Sequence, residues 1–575
     1  MQAIKGIPAS PGIAIGPVYL LEQAELEVNR FEIEDPSAEI ERLDQARREA
    51  RVQIEGLRVK AEEEATAEEA AIFEAHAMFL DDPAIVETTR KLIEEQKINA
   101  ESALLDAIEK MATQLEAMQD DYFSARATDV RDVGNRVVRI LLGVEETDLS
   151  SLDQPSIIVA RDLTPSDTVR LDKKLVLGFC TAEGGPTSHT TILAKALCLP
   201  AVVGASGCVL DIESGATMII DGTTGEVVLE PDDAELRLRK EARIDYEERS
   251  RLDLLAATDP AITLDGHHVE IVANVGNPED TQLALERGAE GIGLLRTEFL
   301  YLERSSSPNE DEQLAAYNAI LDVMESRPVV VRTLDVGGDK ELPYLDLGQE
   351  ANPFLGWRAI RMCLDEPEFF KIQLRALLRA SPGHDLRIMF PMIATLDEVR
   401  RSKTLLDEAR AEVVDAGHPV SKQIQVGIMV EIPAVAALAD LFAREVDFFS
   451  IGTNDLTQYT MAAERTNERV AHLGDAAHPA ILRQIRAVIQ AAHAEGIWVG
   501  LCGELAGDPD AIPVLLGLGL DEFSMSPISI PRAKQIIRRW TRSDAQQLVE
   551  PVLSLDSASA VRDYIRREQE KRIPG

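Results

Sequence analysis

Eight short apolar runs recur in the last three hundred residues, each closing on polar or charged side chains. They are Val269–Gly276, Gly291–Glu298, Val329–Asp335, Leu386–Met392, Val426–Glu431, Phe448–Asp455, Trp498–Glu504 and Glu522–Met525. Helical patterns separate most of them, and eight strand–helix repeats over this length close as a parallel (β/α)8 TIM barrel. The long interval between Asp335 and Leu386 reads as an excursion after the third strand. It carries Gly337-Gly338-Asp339-Lys340-Glu341-Leu342-Pro343 and Asn352-Pro353-Phe354-Leu355-Gly356-Trp357-Arg358. In such a barrel the reacting groups stand at the C-terminal strand ends. Those ends supply Arg296, Arg332, Glu431, Asn454 with Asp455, and Cys502, while Arg358 and Arg465 lie in loops within reach.

Ahead of the barrel the pattern changes twice. Residues 1–20 hold Pro-Gly and Gly-Pro turns between short apolar runs, which predicts strands and turns. From Pro36 to Gly143 the chain is rich in Ala, Glu, Leu and Arg, with Pro83 as an interior break, and reads as helices. Strand-like runs resume at Ser156–Ala160, Leu175–Phe179, Ala201–Gly204 and Thr217–Ile220. The helical part is therefore expected to be an insertion. The reading is a multidomain α/β chain: an α/β domain from residues 1–20 plus 146–230, an all-α subdomain over 21–145, a linker over 231–260, and the barrel over 261–575. Asp232 to Ala257 contains neither proline nor glycine and predicts one exposed helix.

The α/β domain carries Gly184-Gly185-Pro186-Thr187-Ser188-His189-Thr190, followed by a helical pattern. Two glycines and a proline make a tight turn, and Thr or Ser caps the helix. A histidine is thereby placed at a helix N-terminus, where free backbone N–H groups favour an anion. A neutral imidazole there can attack phosphorus, so His189 is the candidate phosphoryl acceptor.

Charge and cysteine content bear on partners. With 100 acidic against 59 basic residues the net charge is −41, and a nucleic-acid backbone would be repelled. Five cysteines form no Cys-x-x-Cys pair, and no stretch reaches the ~20 apolar residues of a membrane span. A cytoplasmic protein is expected.

The rim residues suit a small phosphorylated carboxylic acid. Arginines from separate strands neutralise a phosphate by forked hydrogen bonds. Glu431 and Asp455 can hold a hard cation such as Mg2+ together with substrate oxygens. Cys502, between Leu501 and Gly503, can give a proton to carbon.

Taken together, Gly-Gly-Pro-Thr-Ser-His189-Thr, Gly-Leu-Leu-Arg296-Thr-Glu-Phe-Leu, Arg332-Thr-Leu-Asp-Val-Gly-Gly-Asp-Lys, Asn-Pro-Phe-Leu-Gly-Trp-Arg358, Phe-Phe-Ser-Ile-Gly-Thr-Asn454-Asp455-Leu-Thr-Gln and Leu-Cys502-Gly-Glu closely resemble enzyme I of the bacterial sugar phosphotransferase system. The resemblance covers essentially the whole chain. It extends to Ala71–Leu80, which looks like that family's docking region for the small histidine phosphocarrier protein HPr. It implies phosphorylation of His189, binding of phosphoenolpyruvate by Arg296, Arg332, Asn454 and Arg465, Mg2+ on Glu431 and Asp455, and protonation of enolpyruvate by Cys502. It also implies a homodimer formed through the barrel. One fixed His189 cannot serve both the barrel and HPr, so the α/β domain is expected to swivel on segments near residues 20, 145 and 230–260. Pro186 and Lys195 depart from the family pattern, and Lys195 keeps a charge without the forked geometry of arginine. His76 reads equally as a partner-facing or a helix-packed side chain. The rival readings are an enzyme resembling phosphoenolpyruvate synthase or pyruvate phosphate dikinase, and a non-catalytic phosphoenolpyruvate sensor.

Overall fold

The computed structural model describes residues 2–21, 28–64, 73, 76–116, 121–144, 152–164, 166–167, 171–172, 174–185, 188–197, 199–302, 304, 306–337, 342, 344, 350, 352–465, 467 and 470–572. For 2, 60–64, 114–116, 121–128, 189, 192 and 196 it describes the backbone alone. The chain forms two compact units, residues 1–248 and 249–575.

The first unit is built on a mixed eight-stranded sheet. Its strands are β1 (Gln2–Lys5), β2 (Ile7–Ser10), β3 (Ile13–Leu20), β4 (Ser156–Ala160), β5 (Val176–Thr181), β6 (Ala201–Val203), β7 (Thr217–Asp221) and β8 (Glu226–Leu229), in the order β1-β8-β7-β3-β4-β5-β6-β2. Strands β3, β4, β5 and β6 run parallel, and β4, β5 and β6 are mostly buried, as expected for strands covered on both faces. Strand β8 is absent from the sequence reading. Its four residues Glu-Val-Val-Leu return from β7 through a turn at Gly225, whose φ of +76° suits glycine.

Between β3 and β4 the described residues include the helices α1 (Pro36–Glu64), α2 (Pro83–Gln96), α3 (Ala100–Glu116) and α4 (Asp121–Leu142). They enclose their own core, including Leu43, Ile54, Phe73, Ile93, Ile108 and Val137. Asp82 caps α2 and Pro83 occupies its first turn, so the proline starts a helix instead of breaking one. Of the Ala71–Leu80 stretch, Phe73 and 76–80 are described and the remaining residues lie outside. His76 is wholly buried, edge-on to the Phe73 ring at 5.6 Å, with Nε2 3.4 Å from Asp129. Of its two readings the helix-packed one fits this placement.

The linker is one helix, α6 (Asp233–Leu255), following α5 (His189–Ala196) in chain order. Its last turn belongs firmly to the second unit. Lys534 is wholly buried and donates to the carbonyls of Ala257 and Asp259 at 3.0 and 3.2 Å, and Arg538 donates to those of Ala256 and Asp259. Arg532 lies 3.5 Å from Asp253. Cations at a helix C-terminus satisfy its unpaired carbonyls and its dipole. Residues 253–260, within the segment expected to act as a hinge over 230–260, are thus tied to the barrel.

The second unit is the closed barrel: β10 (His268–Val275), β11 (Ile292–Leu295), β12 (Val329–Arg332), β13 (Leu386–Phe390), β14 (Val426–Val430), β15 (Phe448–Ile451), β16 (Trp498–Leu501) and β17 (Glu522–Met525), preceded by the short β9 (Ala261–Ile262). Each barrel strand pairs in parallel with the next, and β17 returns to β10. All eight expected runs are these strands. The outward-facing side chains meet the surrounding helices in one large core, whereas Leu294, Val330, Met389, Met429, Phe448 and Cys502 form a separate cluster inside the barrel.

Candidate active site at the barrel rim

Strand side chains alternate, so positions two residues beyond the interior cluster also face inward. Leu294, Val330 and Met429 are followed in this step by Arg296, Arg332 and Glu431, which puts three candidate residues at the C-terminal mouth. On β10 the same step reaches Asn274. Its amide donates to the Cys502 carbonyl at 2.9 Å and accepts from Ser524 at 2.6 Å.

A buried charge network occupies the mouth. Arg332 donates through Nη2 to Glu298 at 2.7 Å and lies through Nη1 3.0 Å from Asp335. Arg358 donates to the other oxygen of Asp335 at 2.8 Å and approaches Asp455 at 3.8 Å. Burial opposes the charge on both arginines, and the surrounding carboxylates outweigh it, so both stay cationic. Their outer Nη groups are thus engaged by protein, while each buried Nε makes no hydrogen bond among the described residues. A buried donor of this kind can be satisfied by an acceptor on a ligand or by an ordered water.

The glycines here serve close approach. Gly337 has φ +102°, and a Cβ on it would stand 2.5 Å from that of Arg358. Gly503 lies so close on Thr453 that any side chain would collide. Residue Ala359, immediately after Arg358, holds a left-handed φ of +51°, strain of the kind that collects at functional sites.

Glu431 is wholly buried. One oxygen accepts from the Met392 backbone at 2.6 Å, and Met392 holds φ +53°. The other oxygen, like Oδ1 of Asp455, makes no hydrogen bond among the described residues. Burial, with Asp455 and Asp335 nearby, pushes the Glu431 carboxyl up to about 8, against the pull of Arg332 and the Met392 N–H. Four buried carboxyl groups (Glu298, Asp335, Glu431 and Asp455) thus face two buried guanidiniums, and carboxylates outnumber guanidiniums even with Glu431 protonated. An excess of negative charge with two unsatisfied carboxylate oxygens fits a divalent cation. Among the described residues no three His, Cys, Asp or Glu side chains form a preformed cage. A two-carboxylate site suits Mg2+, which keeps several waters.

Cys502 is buried, and burial pushes its thiol up to about 11 despite Ser450, Arg332 and Arg296 nearby. The side chain is therefore a thiol, able to donate a proton, at neutral pH. Asn454 stands in the first turn of the helix Thr453–Met461 instead of on the strand, and its side chain accepts from the Glu504 N–H at 3.2 Å. Arg296 and Arg465 are exposed at the rim. Arg465 and Arg358 both lie over the Phe354 ring, at 5.9 and 5.8 Å, and Tyr459 donates to the Phe354 carbonyl at 2.6 Å.

Sequence reasoning overlooked Glu298, Asp335, Phe354, Tyr459 and Asn274. Glu298 and Asp335 follow Arg296 and Arg332 by two and three residues, a signal that was available. Asn274 follows from the period-two step along β10.

In the first unit, Ser188 caps α5, accepting from the Thr191 N–H, and Thr191 Oγ1 donates to the Gly185 carbonyl at 2.9 Å. His189 is the first residue of that helix, and Gly184 has φ +98°. Thr190 donates to Asp162 at 3.2 Å. Pro186, Thr187 and the imidazole of His189 lie outside the described part, and Lys195 is exposed.

The chain matches three family models: the PEP-utilising enzyme PEP-binding domain over residues 252–542, the N-terminal domain over 5–126 and the mobile domain over 152–225. It is similar to the phosphoenolpyruvate-protein phosphotransferase of Staphylococcus carnosus, 49% identical over 98% of both chains. It is equally similar to that of Bacillus subtilis, 49% identical over 98% of this chain and 99% of the other. A solution structure of an enzyme I protein matches at 40% identity with a TM-score of 0.39, covering 42% of this chain and 99% of that one. Identity at this level along nearly the full length of both relatives, with the barrel-mouth charges in place, shows that the chain belongs to the phosphoenolpyruvate-protein phosphotransferase family.

Proposed function

We propose that the chain takes the phosphoryl group of phosphoenolpyruvate onto His189, releases pyruvate, and passes the phosphoryl group to the histidine of HPr, the first step of sugar phosphotransferase transport. The observation that carries this reading is the buried network of Arg332, Arg358, Glu298, Asp335 and Asp455 at the barrel mouth, together with the buried thiol of Cys502 in the cluster inside the barrel. A proton donor to carbon is what an enolate-releasing phosphoryl transfer needs.

In the proposed reaction, Arg296, Arg332, Arg358, Asn454 and Arg465 bind phosphate and carboxylate. The neutral Nε2 of His189 attacks phosphorus, a P–N bond forms, and the bridging P–O bond breaks to leave the enolate of pyruvate. The Cys502 Sγ–H gives its proton to the methylene carbon, forming the methyl group, and the thiolate recovers a proton from water. Glu431 and Asp455 would hold Mg2+, which supplies neutralisation of phosphoryl and enolate oxygens when bound. No step requires a nucleotide, and near-complete coverage by phosphotransferase relatives disfavours the dikinase-like reading.

We assign HPr docking to the helical insertion 21–145, phosphohistidine formation to 1–20 plus 146–230, and phosphoenolpyruvate binding and homodimer formation to 261–575, in a cytoplasmic protein. No helix among the described residues is long and apolar enough to cross a membrane. The test is intact mass after incubation with phosphoenolpyruvate and Mg2+, comparing wild type with His189→Ala and then adding HPr. One phosphoryl group on wild type alone, discharged by HPr, is expected. Binding without any mass change would favour the sensor.

A further inference from the structure

The C-terminal helix, Ala558–Glu570, reaches back to the loops that carry the proposed reacting groups. Arg562 holds Asp475 with two forked hydrogen bonds, Nε to Oδ2 and Nη2 to Oδ1, both 2.9 Å. Its remaining nitrogen, Nη1, donates to Asp508 and lies 3.9 Å from Asp510. One turn on, Arg566 Nε donates to Asp510 at 2.8 Å, and Gln569 donates to the Pro509 carbonyl at 2.8 Å.

These carboxylates belong to two different strand–helix loops. Asp508 ends the short segment that leaves β16 through Cys502 and Gly503, a 3-10 turn over Glu504–Gly507. That turn is tied across to Asn454 by the Glu504 N–H. Asp475 ends the stretch that begins at Arg465 and leads into the helix Pro479–Glu495. Its backbone carbonyl accepts from His478 and its side chain from the Ala477 N–H. One guanidinium therefore closes a three-carboxylate cluster: against the opposing effect of burial it holds Asp475 below its ordinary value, while burial keeps Asp510 above its own. Without the guanidinium, three partly buried like charges would repel one another.

We propose that Arg562 is a positioning residue for the barrel reaction. It fixes the loop bearing Cys502 against the loop bearing Arg465, so that the C-terminal helix sets how the proton donor and the substrate-binding arginine face a common substrate. The inference rests on the phosphotransferase reading above. Forked geometry matters as well as charge, since a planar guanidinium pairs both oxygens of Asp475 and still reaches Asp508 through Nη1, which a single ammonium cannot do. Small displacements of such groups cost disproportionately in rate.

The test separates the two half-reactions in the full chain. Arg562→Gln should lower kcat/KM for self-phosphorylation by phosphoenolpyruvate by roughly tenfold or more, with KM rising as well as kcat falling. Discharge of the phosphorylated variant to HPr, which the reading places in the first unit, should keep its wild-type rate. Arg562→Lys should fall between, and Asp475→Asn combined with Asp508→Asn in the Arg562→Gln background should recover part of the loss by removing the repulsion. The proposal is overturned if Arg562→Gln keeps kcat/KM within twofold of wild type. It is equally overturned if both half-reactions fall together with the melting temperature. If Arg562→Gln does not fold, the same comparison is decided on Arg562→Lys. Failure of wild type itself to accept phosphoryl from phosphoenolpyruvate would sink the phosphotransferase reading instead.

Discussion

Replacing Glu522 by glutamine should make the barrel more stable, and increasingly so as pH rises. Glu522 opens β17 at the end of the barrel opposite the active site, wholly buried, and a Cβ on Gly500 would stand 2.7 Å from its Oε1. Neither carboxylate oxygen makes a hydrogen bond among the described residues. Burial first, and the like charge of Glu270 second, push the carboxyl up to about 8, against the pull of Arg387. In the unfolded chain the group ionises near its ordinary value of about 4.3. Between those two values the folded state keeps a proton that the unfolded state gives up, so stability is lost as pH rises through the window. At about 1.4 kcal/mol per pH unit, a span of roughly three and a half units sets a ceiling of roughly 5 kcal/mol. Glutamine keeps the shape and removes the titration. Urea unfolding followed by tryptophan fluorescence is a suitable assay, because all three tryptophans, Trp357, Trp498 and Trp540, lie in the barrel unit. At pH 5 Glu522→Gln should be more stable than wild type by only about 1 kcal/mol, and at pH 9 by several kcal/mol. A difference that stays constant across pH would refute the assignment of a neutral buried acid.

Other outcomes are expected at the proposed active site. Cys502→Ala should slow pyruvate release by roughly a hundredfold or more while altering phosphoenolpyruvate affinity little, measured by coupled pyruvate assay and by titration calorimetry. In wild type that step should show no loss from thiol ionisation below about pH 10. Arg332→Met leaves Glu298 and Asp335 without their shared cation, and should destabilise the barrel by about 3–5 kcal/mol in the same urea experiment while abolishing turnover. Removing divalent cations with a chelator should stop self-phosphorylation. Discharge of preformed phosphohistidine to HPr should continue, as read by intact mass.

The barrel was legible because a buried parallel strand carries a signal of its own: a short apolar run that stops abruptly. Val329–Val331 before Arg332, and Val426–Val430 before Glu431, mark both the strand and the end that bears a candidate site residue. The short β8 was not legible, since Glu226–Leu229 becomes a strand only by pairing with β1 and β7 on either side. The rim arginines and acids could be picked one at a time. What no local pattern reports is how they share partners: Asp335 bridges Arg332 and Arg358, which are twenty-six residues apart and brought together by the excursion after β12. Arg562 is further still from the loops it holds, in a helix whose sequence looks like an ordinary solvated surface.

The anchored end of the linker should also resist opening. Asp253 and the carbonyls of Ala256, Ala257 and Asp259 are held by Arg532, Lys534 and Arg538, and Lys534 is wholly buried. Opening this end would leave a buried ammonium without its carbonyl acceptors. The amides of Ala256 and Ala257 should therefore exchange with deuterium only as slowly as those of the barrel strands, when the second unit itself opens.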